Sequence, residues 1–173
     1  MKNFILILLC LSGIHAAAQN SVQVNVVVPP PYSPYLHDYT QFEGKNIITL
    51  TNKTAQTLQV KLTGSLTGED NGLYLFTKPE YKPAMPIVLS PYQTYTLMGG
   101  NASKDFFTDK NTETNVNDKQ RNTIITSGIL PEGNYKLCIR AVDYLSNVPY
   151  SPDDPAGCTH FSVSYPIPPI LLN

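Results

Sequence analysis

The stretch "LPEGNYKLCIRAVDY", residues 130–144, decides the fold. In it a turn that begins at Leu130 and is shaped by Pro131 and Gly133 leads Tyr135 into a strand. From that position the tyrosine hydroxyl can reach back to the backbone a few residues upstream, an arrangement known as a tyrosine corner. The stretch therefore predicts a long strand that starts beside a structural corner of a β-sandwich.

The side chains of this strand alternate between the two faces of its sheet. If Tyr135 faces the core, every second residue after it does so too: Leu137, Ile139 and Ala141. The intervening residues then face outward: Lys136, Cys138, Arg140 and Val142. Cys138 is therefore expected on the outer surface and not between the two sheets.

Similar alternating runs recur along the chain between clusters of Gly, Pro, Asn and Asp, and helical periodicity is almost absent. These runs are short and rich in Val, Ile, Leu, Thr and Tyr, which is typical of strands. The runs are residues 22–28, 46–52, 58–66, 73–76, 86–90, 94–98, 134–144 and 160–165. Together they predict an all-β, immunoglobulin or fibronectin type III-like sandwich of about seven strands.

The stretch "VQVNVVVPPPYSPYLHDY", residues 22–39, begins as a strand and breaks at three consecutive prolines. Proline lacks the donor that a ladder requires, so residues 29–31 end the strand. We expect the segment through Tyr39 to run extended over one end of the sandwich, with Tyr32 or Tyr35 laid against it. A stiff crossover is favoured over a segment that docks a peptide or a partner.

A long polar segment, residues 99–120, follows the sixth run and is rich in Asn, Asp, Lys and Thr. A connection of this length in a compact domain is either functional or loosely ordered. Phe106 and Phe107 are its apolar exception, and we expect them to pin it to the edge of the sandwich.

Residues 1–18 have the three-part layout of a secretory signal peptide: a cation at Lys2, an apolar run over 4–11 and small residues over 16–18. Lipidation of Cys10 is the less favoured alternative, because a small residue would have to precede it and Leu9 stands there. Residues 19–173 then form one domain of about 155 residues, long enough for a single core.

Composition excludes several partner classes. The formal net charge is −1, charged residues make up 14% of the chain, and Lys and Arg form no run, so neither nucleic acid nor an anionic membrane is an expected partner. No apolar run after residue 18 reaches the length of a membrane span, so the mature chain is expected not to be membrane-spanning. The oligomeric state is left open.

Two cysteines, Cys138 and Cys158, remain after cleavage, and a pair in an exported chain predicts one disulfide. The bridge would staple the loop between the last two strands. Closing about 20 residues stabilises a fold by roughly 3 kcal/mol in the chain-entropy treatment. A zinc site needs more ligands than this pair supplies, and no cofactor is expected.

Six blocks together resemble a TANFOR domain, a fibronectin type III-like module of secreted and surface proteins of Bacteroidota. They are "VQVNVVVPPPYSPYLHDY", "NIITLTN", "VKLTGSLTGEDNG", "LPEGNYKLCIRAVDY", "SPDDPAGC" and "PPILLN", in this order over nearly all of the mature chain. The resemblance implies the sandwich, an exported location and a Cys138–Cys158 bridge, and it brings no catalytic residues. Since the sequence stops directly after the module, with no room for a sorting domain, we expect a periplasmic, outer-surface associated or secreted protein.

Candidate catalytic and metal-binding residues have simpler structural interpretations. His37 and His160 have no nucleophile elbow or zinc-binding spacing beside them, so surface histidines are expected and the protein is predicted not to be an enzyme. The acidic stretches 69–71 and 153–154 do not fit a calcium loop, and such residues favour turns without any metal.

Five loop tyrosines are the candidate interaction surface: Tyr32, Tyr35, Tyr39, Tyr144 and Tyr150. Aromatic residues with a polar tip are enriched at interfaces, but they also pack along sandwich edges and under long loops. The leading hypothesis is an exported, non-enzymatic module that docks on another envelope or surface protein. The alternative is a carbohydrate-binding module that stacks sugars on these loop tyrosines.

Overall fold

A computed structural model describes residues 21–41, 44–100, 110–115, 124, 127–152 and 157–165. Among these residues the strands number nine, and a short helix follows the first of them. The elements in chain order are β1 (Val22–Val27), α1 (Leu36–Gln41), β2 (Ile47–Asn52), β3 (Leu58–Gly68), β4 (Tyr74–Thr77), β5 (Ile87–Leu89), β6 (Thr94–Met98), β7 (Thr112–Thr114), β8 (Gly133–Asp143) and β9 (Cys158–Val163).

The strands form two antiparallel sheets, as a β-sandwich requires, so the all-β prediction is confirmed. The small sheet has the order β1-β2-β6, and the large sheet has the order β7-β4-β3-β8-β9, with β5 also paired to β3. Apolar side chains from both sheets bury one another in a single cluster. Its most deeply buried large members are Val22, Val24, Leu50, Val60, Leu73, Leu89, Leu130, Tyr135 and Ile139.

The strand count differs from the expected number of about seven. The difference lies in short strands, above all β7, which falls inside the polar segment 99–120 and pairs with β4. Three residues are too few to show an alternating pattern, so only pairing with a neighbour reveals such a strand. Phe106 and Phe107 lie outside the described residues.

Strand β8 shows the alternation predicted for it: Tyr135, Leu137, Ile139 and Ala141 are buried, whereas Lys136, Cys138 and Arg140 are partly exposed. Val142 departs from this pattern because it is only 4% exposed. It stands opposite the buried Lys61 of β3 and bridges to Pro149. The outer face of the large sheet is therefore covered at this end.

The corner at the start of β8 has the geometry expected of a tyrosine corner. The Tyr135 hydroxyl donates to the Pro131 carbonyl at 2.6 Å and accepts a hydrogen bond from Asn71 at 2.8 Å. Gly133 has a φ of 146°, and a Cβ there would lie 2.2 Å from a carboxylate oxygen of Asp70. Only glycine adopts this backbone conformation readily, so the glycine is a geometric requirement of the turn.

The Cys138–Cys158 disulfide is present, with an S–S distance of 2.05 Å. The two cysteines stand opposite each other on β8 and β9, and both are partly exposed. The bridge therefore joins neighbouring strands of one sheet on its outer face, as the alternation of β8 predicted, and it closes the loop between them.

The expectation that residues 32–39 run extended is wrong from Leu36 onward, where the helix α1 begins. The chain first bridges to Ile129 through Tyr35. Ser33 then accepts a bond from the Tyr35 amide at 3.1 Å and donates its hydroxyl to the Asp38 carboxylate. Short polar side chains that bond locally favour such a turn, and six residues are too few for a periodic signal.

Three other predictions lie outside the described residues: the signal peptide at 1–18, the acidic pair at 153–154 and the last block, 168–173. Over the part of the chain that the structure describes, no helix has the length and apolar character needed to cross a membrane.

Candidate functional site

The site begins where the large sheet is interrupted. Val60 pairs with β8 on one side and with β5 on the other, so β4 and β5 share the same edge of β3. Residues 78–86 connect these two strands and leave the sheet; we call this segment the bulge. Along the edge of β3, between the part paired with β5 and the part paired with β4, the Thr77 hydroxyl takes the place of a strand partner. It accepts a hydrogen bond from the Gly64 amide at 2.9 Å and donates one to the Gly64 carbonyl at 3.2 Å.

Lys61 holds the bulge against β3. Its side chain lies on the outer face of the strand, is only 3% exposed, and donates from Nζ to the carbonyl of Tyr81 in the bulge. Burial, and next the nearby charge of Lys82, lower the pKa of Lys61 below its ordinary value. The strand therefore places a poorly solvated cation directly beneath the bulge, where burial is expensive unless hydrogen bonds compensate.

A cavity of about 410 Å³ lies between the bulge and the start of β7. The Lys78 amide donates to the Asn111 carbonyl at 2.9 Å and so joins the two walls. The cavity is lined by Lys78, Glu80, Tyr81, Lys82, Pro83, Ala84, Lys110 and Asn111. Among the described residues of the lining, three lysines stand against one glutamate, so positive charge is in excess; we call this cavity the lysine cleft.

Tyr144 connects the lysine cleft to the rest of the sheet surface. Lys82 Nζ lies 4.7 Å from the centroid of the Tyr144 ring, within the range of a cation–π contact. The Tyr144 hydroxyl donates to the Pro83 carbonyl at 3.0 Å. Its backbone amide donates to the Gln59 carbonyl at 3.0 Å, which places the ring beside β3. One tyrosine therefore fixes both the bulge and the orientation of a cleft lysine.

Large apolar side chains are exposed around Tyr144. Val88 stands opposite Gln59 on β3, Leu145 follows Tyr144, and the Val148 carbonyl accepts the Asp143 amide. The exposed fractions of the four are Met85 78%, Leu145 74%, Val88 51% and Val148 46%. We call these four residues the apolar rim; it borders the lysine cleft at the carboxyl end of β8.

Asp143 organises the turn that carries part of this rim. One carboxylate oxygen accepts from the amides of Leu145 and Ser146, and the other accepts from the Tyr150 hydroxyl at 2.8 Å. Burial alone would raise the pKa of Asp143, but the hydrogen bonds from Ser146, Tyr150 and Leu145 outweigh it and hold the pKa below its usual value. The turn is thus built around an ionised carboxylate.

The five predicted tyrosines do not form one surface. Tyr32 and Tyr39 pack on Phe161, which stands opposite Tyr135 at the start of β8. Tyr144 directly follows the other end of this strand, about 30 Å from Tyr135 at the usual rise per residue, and Tyr150 lies beside Ala141, about 20 Å from Tyr135. Single residues of one type carry no information on which end of a sandwich their loops reach. The five tyrosines therefore lie in two groups, and their role in an interaction stays a prediction.

Among the first three tyrosines only Tyr35 remains well exposed, at 45%, with its ring 5.5 Å from that of His37. The Tyr39 hydroxyl donates to the Ser33 carbonyl at 2.7 Å, and burial is the largest cause that raises the pKa of Tyr39. Tyr32 and Tyr39 therefore act as packing residues of the opening segment.

The histidines lie at the surface, as the sequence predicted. His37 is on α1, and its Nε2 lies 3.1 Å from the carboxylate of Asp38. His160 is on the outer face of β9, and its Nε2 lies 3.3 Å from the carboxylate of Glu69. More than half of each histidine side chain is exposed. Over the described residues, no group of three or more His, Cys, Asp and Glu is arranged to hold a metal ion.

The acidic stretch 69–71 forms a turn. Asp70 accepts from the backbone amide and the side-chain amide of Asn134, at 2.9 and 3.1 Å. Asn71 accepts from the Leu73 amide at 3.1 Å. The polar groups of this acidic stretch therefore join the β3–β4 turn to the start of β8.

Sequence reasoning missed the lysine cleft and the apolar rim. The available signal was "KPEYKP", residues 78–83, in which two Lys-Pro pairs interrupt the strand pattern. Proline at both places prevents regular pairing, which is why the chain leaves the sheet there. A second omission is the pair Tyr74 and Phe76 on β4, whose rings stack with centroids 5.3 Å apart.

Comparisons of the chain with protein-family models, with curated proteins and with solved structures found no match. The class that the fold defines is therefore an all-β protein of two antiparallel sheets carrying one disulfide.

Proposed function

We propose that this chain is an exported, non-enzymatic interaction module that docks on another protein of the cell envelope or surface through the apolar rim. The single observation that carries the proposal is the exposure of four large apolar side chains on segments that the contacts of Asp143, Tyr144 and β5 bring to the same end of the large sheet. Scattered exposed apolar residues need no explanation, but a group beside a partly buried tyrosine is typical of protein interfaces.

The surroundings of the rim indicate the chemistry of the partner. Lys78, Lys82 and Lys110 line the adjoining lysine cleft, and Glu80 is the one acidic residue of that lining over the part of the chain that the structure describes. A partner surface with apolar residues and an excess of carboxylates would match this arrangement, because opposite potentials favour encounter and correct orientation.

The residues that line the cleft support a binding role. Among the described residues, its lining holds no histidine, cysteine or serine, and the two described histidines stand elsewhere at the surface. A general base must reach its proton within a site that orients the substrate, which an exposed histidine outside the cleft does not do. Export is supported by the disulfide, because such bonds persist in oxidising compartments.

Site-specific photo-cross-linking tests the proposal. The full chain is expressed in the source cell with a photoreactive amino acid in place of Val88. This amino acid is expected to cross-link a single partner protein of the cell envelope. The matched position is Thr96, which is exposed on the small sheet and should give no such adduct. The Leu145→Asp substitution should abolish the adduct from Val88. Equal labelling from both positions, or recovery of free monomer alone, would contradict the proposal.

Carbohydrate binding is the second candidate, and the Tyr74–Phe76 pair favours it. Tyr74 is 38% exposed, and the two rings are inclined by only 29° on an open face of β4. The apolar face of a sugar ring can pack on such rings. A glycan array probed with wild type, Tyr74→Ala and Tyr35→Ala distinguishes this platform from the loop tyrosine.

A further inference from the structure

The lysine cleft is a concentration of positive charge on a chain that is slightly acidic overall. Of the twelve Lys and Arg residues in the sequence, three line the cleft and a fourth, Lys61, lies beneath it. A concave site lined by one sign of charge focuses the field and raises the local concentration of the opposite charge. The expected occupant is therefore an anion.

The cleft is held in shape by contacts from three elements. Lys61 fixes the bulge to β3, and the Lys78 amide fixes it to Asn111 at the start of β7. Lys82 is aligned on the ring of Tyr144 at the end of β8. Such anchoring reduces the entropy lost when a ligand binds, which favours a specific site over a diffuse cationic surface.

The size and the border of the cleft select the ligand class. Its volume of about 410 Å³ falls within the range of about 300–1,000 Å³ that is usual for ligand clefts. Lysine binds carboxylates and phosphates as a point charge. The adjoining apolar rim, with Met85 exposed in the bulge and Val88 exposed just after it, favours a ligand that also carries apolar groups.

We propose that the lysine cleft binds the carboxylates of an acidic segment in the protein partner, while the apolar residues next to that segment lie on the apolar rim. The inference rests on the proposed function and adds the chemistry of the partner to it.

Fluorescence anisotropy on the full mature chain tests the inference, with a labelled peptide of three glutamates followed by Phe-Leu as the probe. Binding is expected, and it should weaken as the NaCl concentration is raised from about 50 mM to about 200 mM, because salt screens exposed charges. The Lys78→Gln/Lys110→Gln variant should lose about tenfold in affinity, equivalent to about 1.4 kcal/mol. The matched control, Lys53→Gln/Lys136→Gln, removes the same charge elsewhere and should bind as wild type does.

Three results would overturn the inference: equal affinity for a peptide with three glutamines, equal loss in both double variants, or binding of alginate or inorganic phosphate at the cleft without any binding of the acidic peptide. The cross-linking experiment separates the two proposals. If the adduct from Val88 persists in the Lys78→Gln/Lys110→Gln variant and the peptide does not bind, the carboxylate site is wrong and the docking function stands. If the peptide binds and the adduct is absent, the docking function is wrong.

Discussion

The hydroxyl of Tyr135 donates a hydrogen bond of 2.6 Å to the carbonyl of Pro131, four residues upstream, and thereby joins the first residues of β8 to the turn that precedes them. Asn71 donates to the same hydroxyl from the β3–β4 turn. A side chain that is fully buried thus connects two turns at one end of the large sheet.

The Tyr135→Phe substitution is expected to lower the free energy of unfolding by about 1–3 kcal/mol. It removes the hydroxyl, so the Pro131 carbonyl loses this donor and the Asn71 side-chain amide loses one of its two acceptors. Chemical denaturation of wild type and variant measures the difference. Tyr92→Phe is the matched control, since this tyrosine is 68% exposed and should change stability little. Equal stability of all three proteins would contradict a structural role for the corner.

Alkaline pH should destabilise the fold through the same residue. Burial, the largest cause, raises the pKa of Tyr135 to about 12, against the ordinary value of 10.0. Because the unfolded chain releases this proton at lower pH than the folded one, the contribution is complete below pH 10.0 and is lost as the pH rises towards about 12. Denaturation midpoints measured over this interval should fall more steeply for wild type than for Tyr135→Phe. Parallel curves would show that the raised pKa has no effect on folding.

Removing the disulfide should lower stability by roughly 3 kcal/mol, because the unfolded chain then regains the freedom of a loop of about 20 residues. Thermal unfolding of Cys138→Ser/Cys158→Ser, compared with oxidised and reduced wild type, measures this cost. The double variant and the reduced wild type should behave alike. Alkylation mapping that finds both thiols free in the oxidised protein would contradict the bridge.

Asn52 is expected to be indispensable to the turn after β2. Its fully buried amide donates to the carbonyls of Gln56, Leu89 and Ser90, at 2.7, 3.2 and 2.9 Å. Asn52→Ala removes these bonds and those that the Asn52 side-chain oxygen accepts from Thr54, and it should cost about 3 kcal/mol or more in unfolding free energy. The control is Asn25→Ala, an exposed asparagine on β1, which should change stability by less than about 0.5 kcal/mol. Similar effects of the two substitutions would refute this role.

Lys61 should make stability rise with pH. Burial, and then the charge of Lys82, lower the pKa of Lys61. The folded chain therefore loses this proton at a lower pH than the unfolded chain, in which the pKa has its ordinary value of 10.5. The unfolded state therefore binds more protons in this interval, and the penalty of the buried charge disappears as the pH approaches 10.5.

Wild type should accordingly gain stability relative to Lys61→Met as the pH increases towards 10.5. Paired denaturation series for Lys61→Met and for the exposed Lys53→Met show whether the gain is specific. A difference between wild type and Lys61→Met that stays constant with pH would contradict a buried, destabilised cation under the bulge.

Several features could be predicted from the sequence because they depend on near neighbours along the chain. Alternation along β8 placed Tyr135 inside and Cys138 outside, and the Pro131 and Gly133 turn placed the corner. Two cysteines in a chain that was expected to be exported implied one bridge, and the structure has it. These patterns have a period of two residues or a fixed turn geometry, and each therefore leaves a local signature.

The candidate site left no such signature. The lysine cleft brings together residues 78–84 and 110–111, and the apolar rim adds residues after β8. Lys61 stands between Val60 and Leu62 in the alternating pattern of β3, at a position that faces outward, and only the bulge that covers it makes it buried. Five tyrosines looked like one group until the sheet placed them at two ends.

The amino-acid sequence by itself determined the all-β class, the corner at Tyr135, the face on which each residue of β8 lies and the pair of cysteines that bond. Only the tertiary structure decided which loops meet, that Lys61 is buried, and that Lys82 lies on Tyr144 beside an exposed apolar rim. The physical reason is range: backbone alternation and turn conformation are set by adjacent residues, whereas burial and the proximity of charges depend on strands that pair across tens of residues.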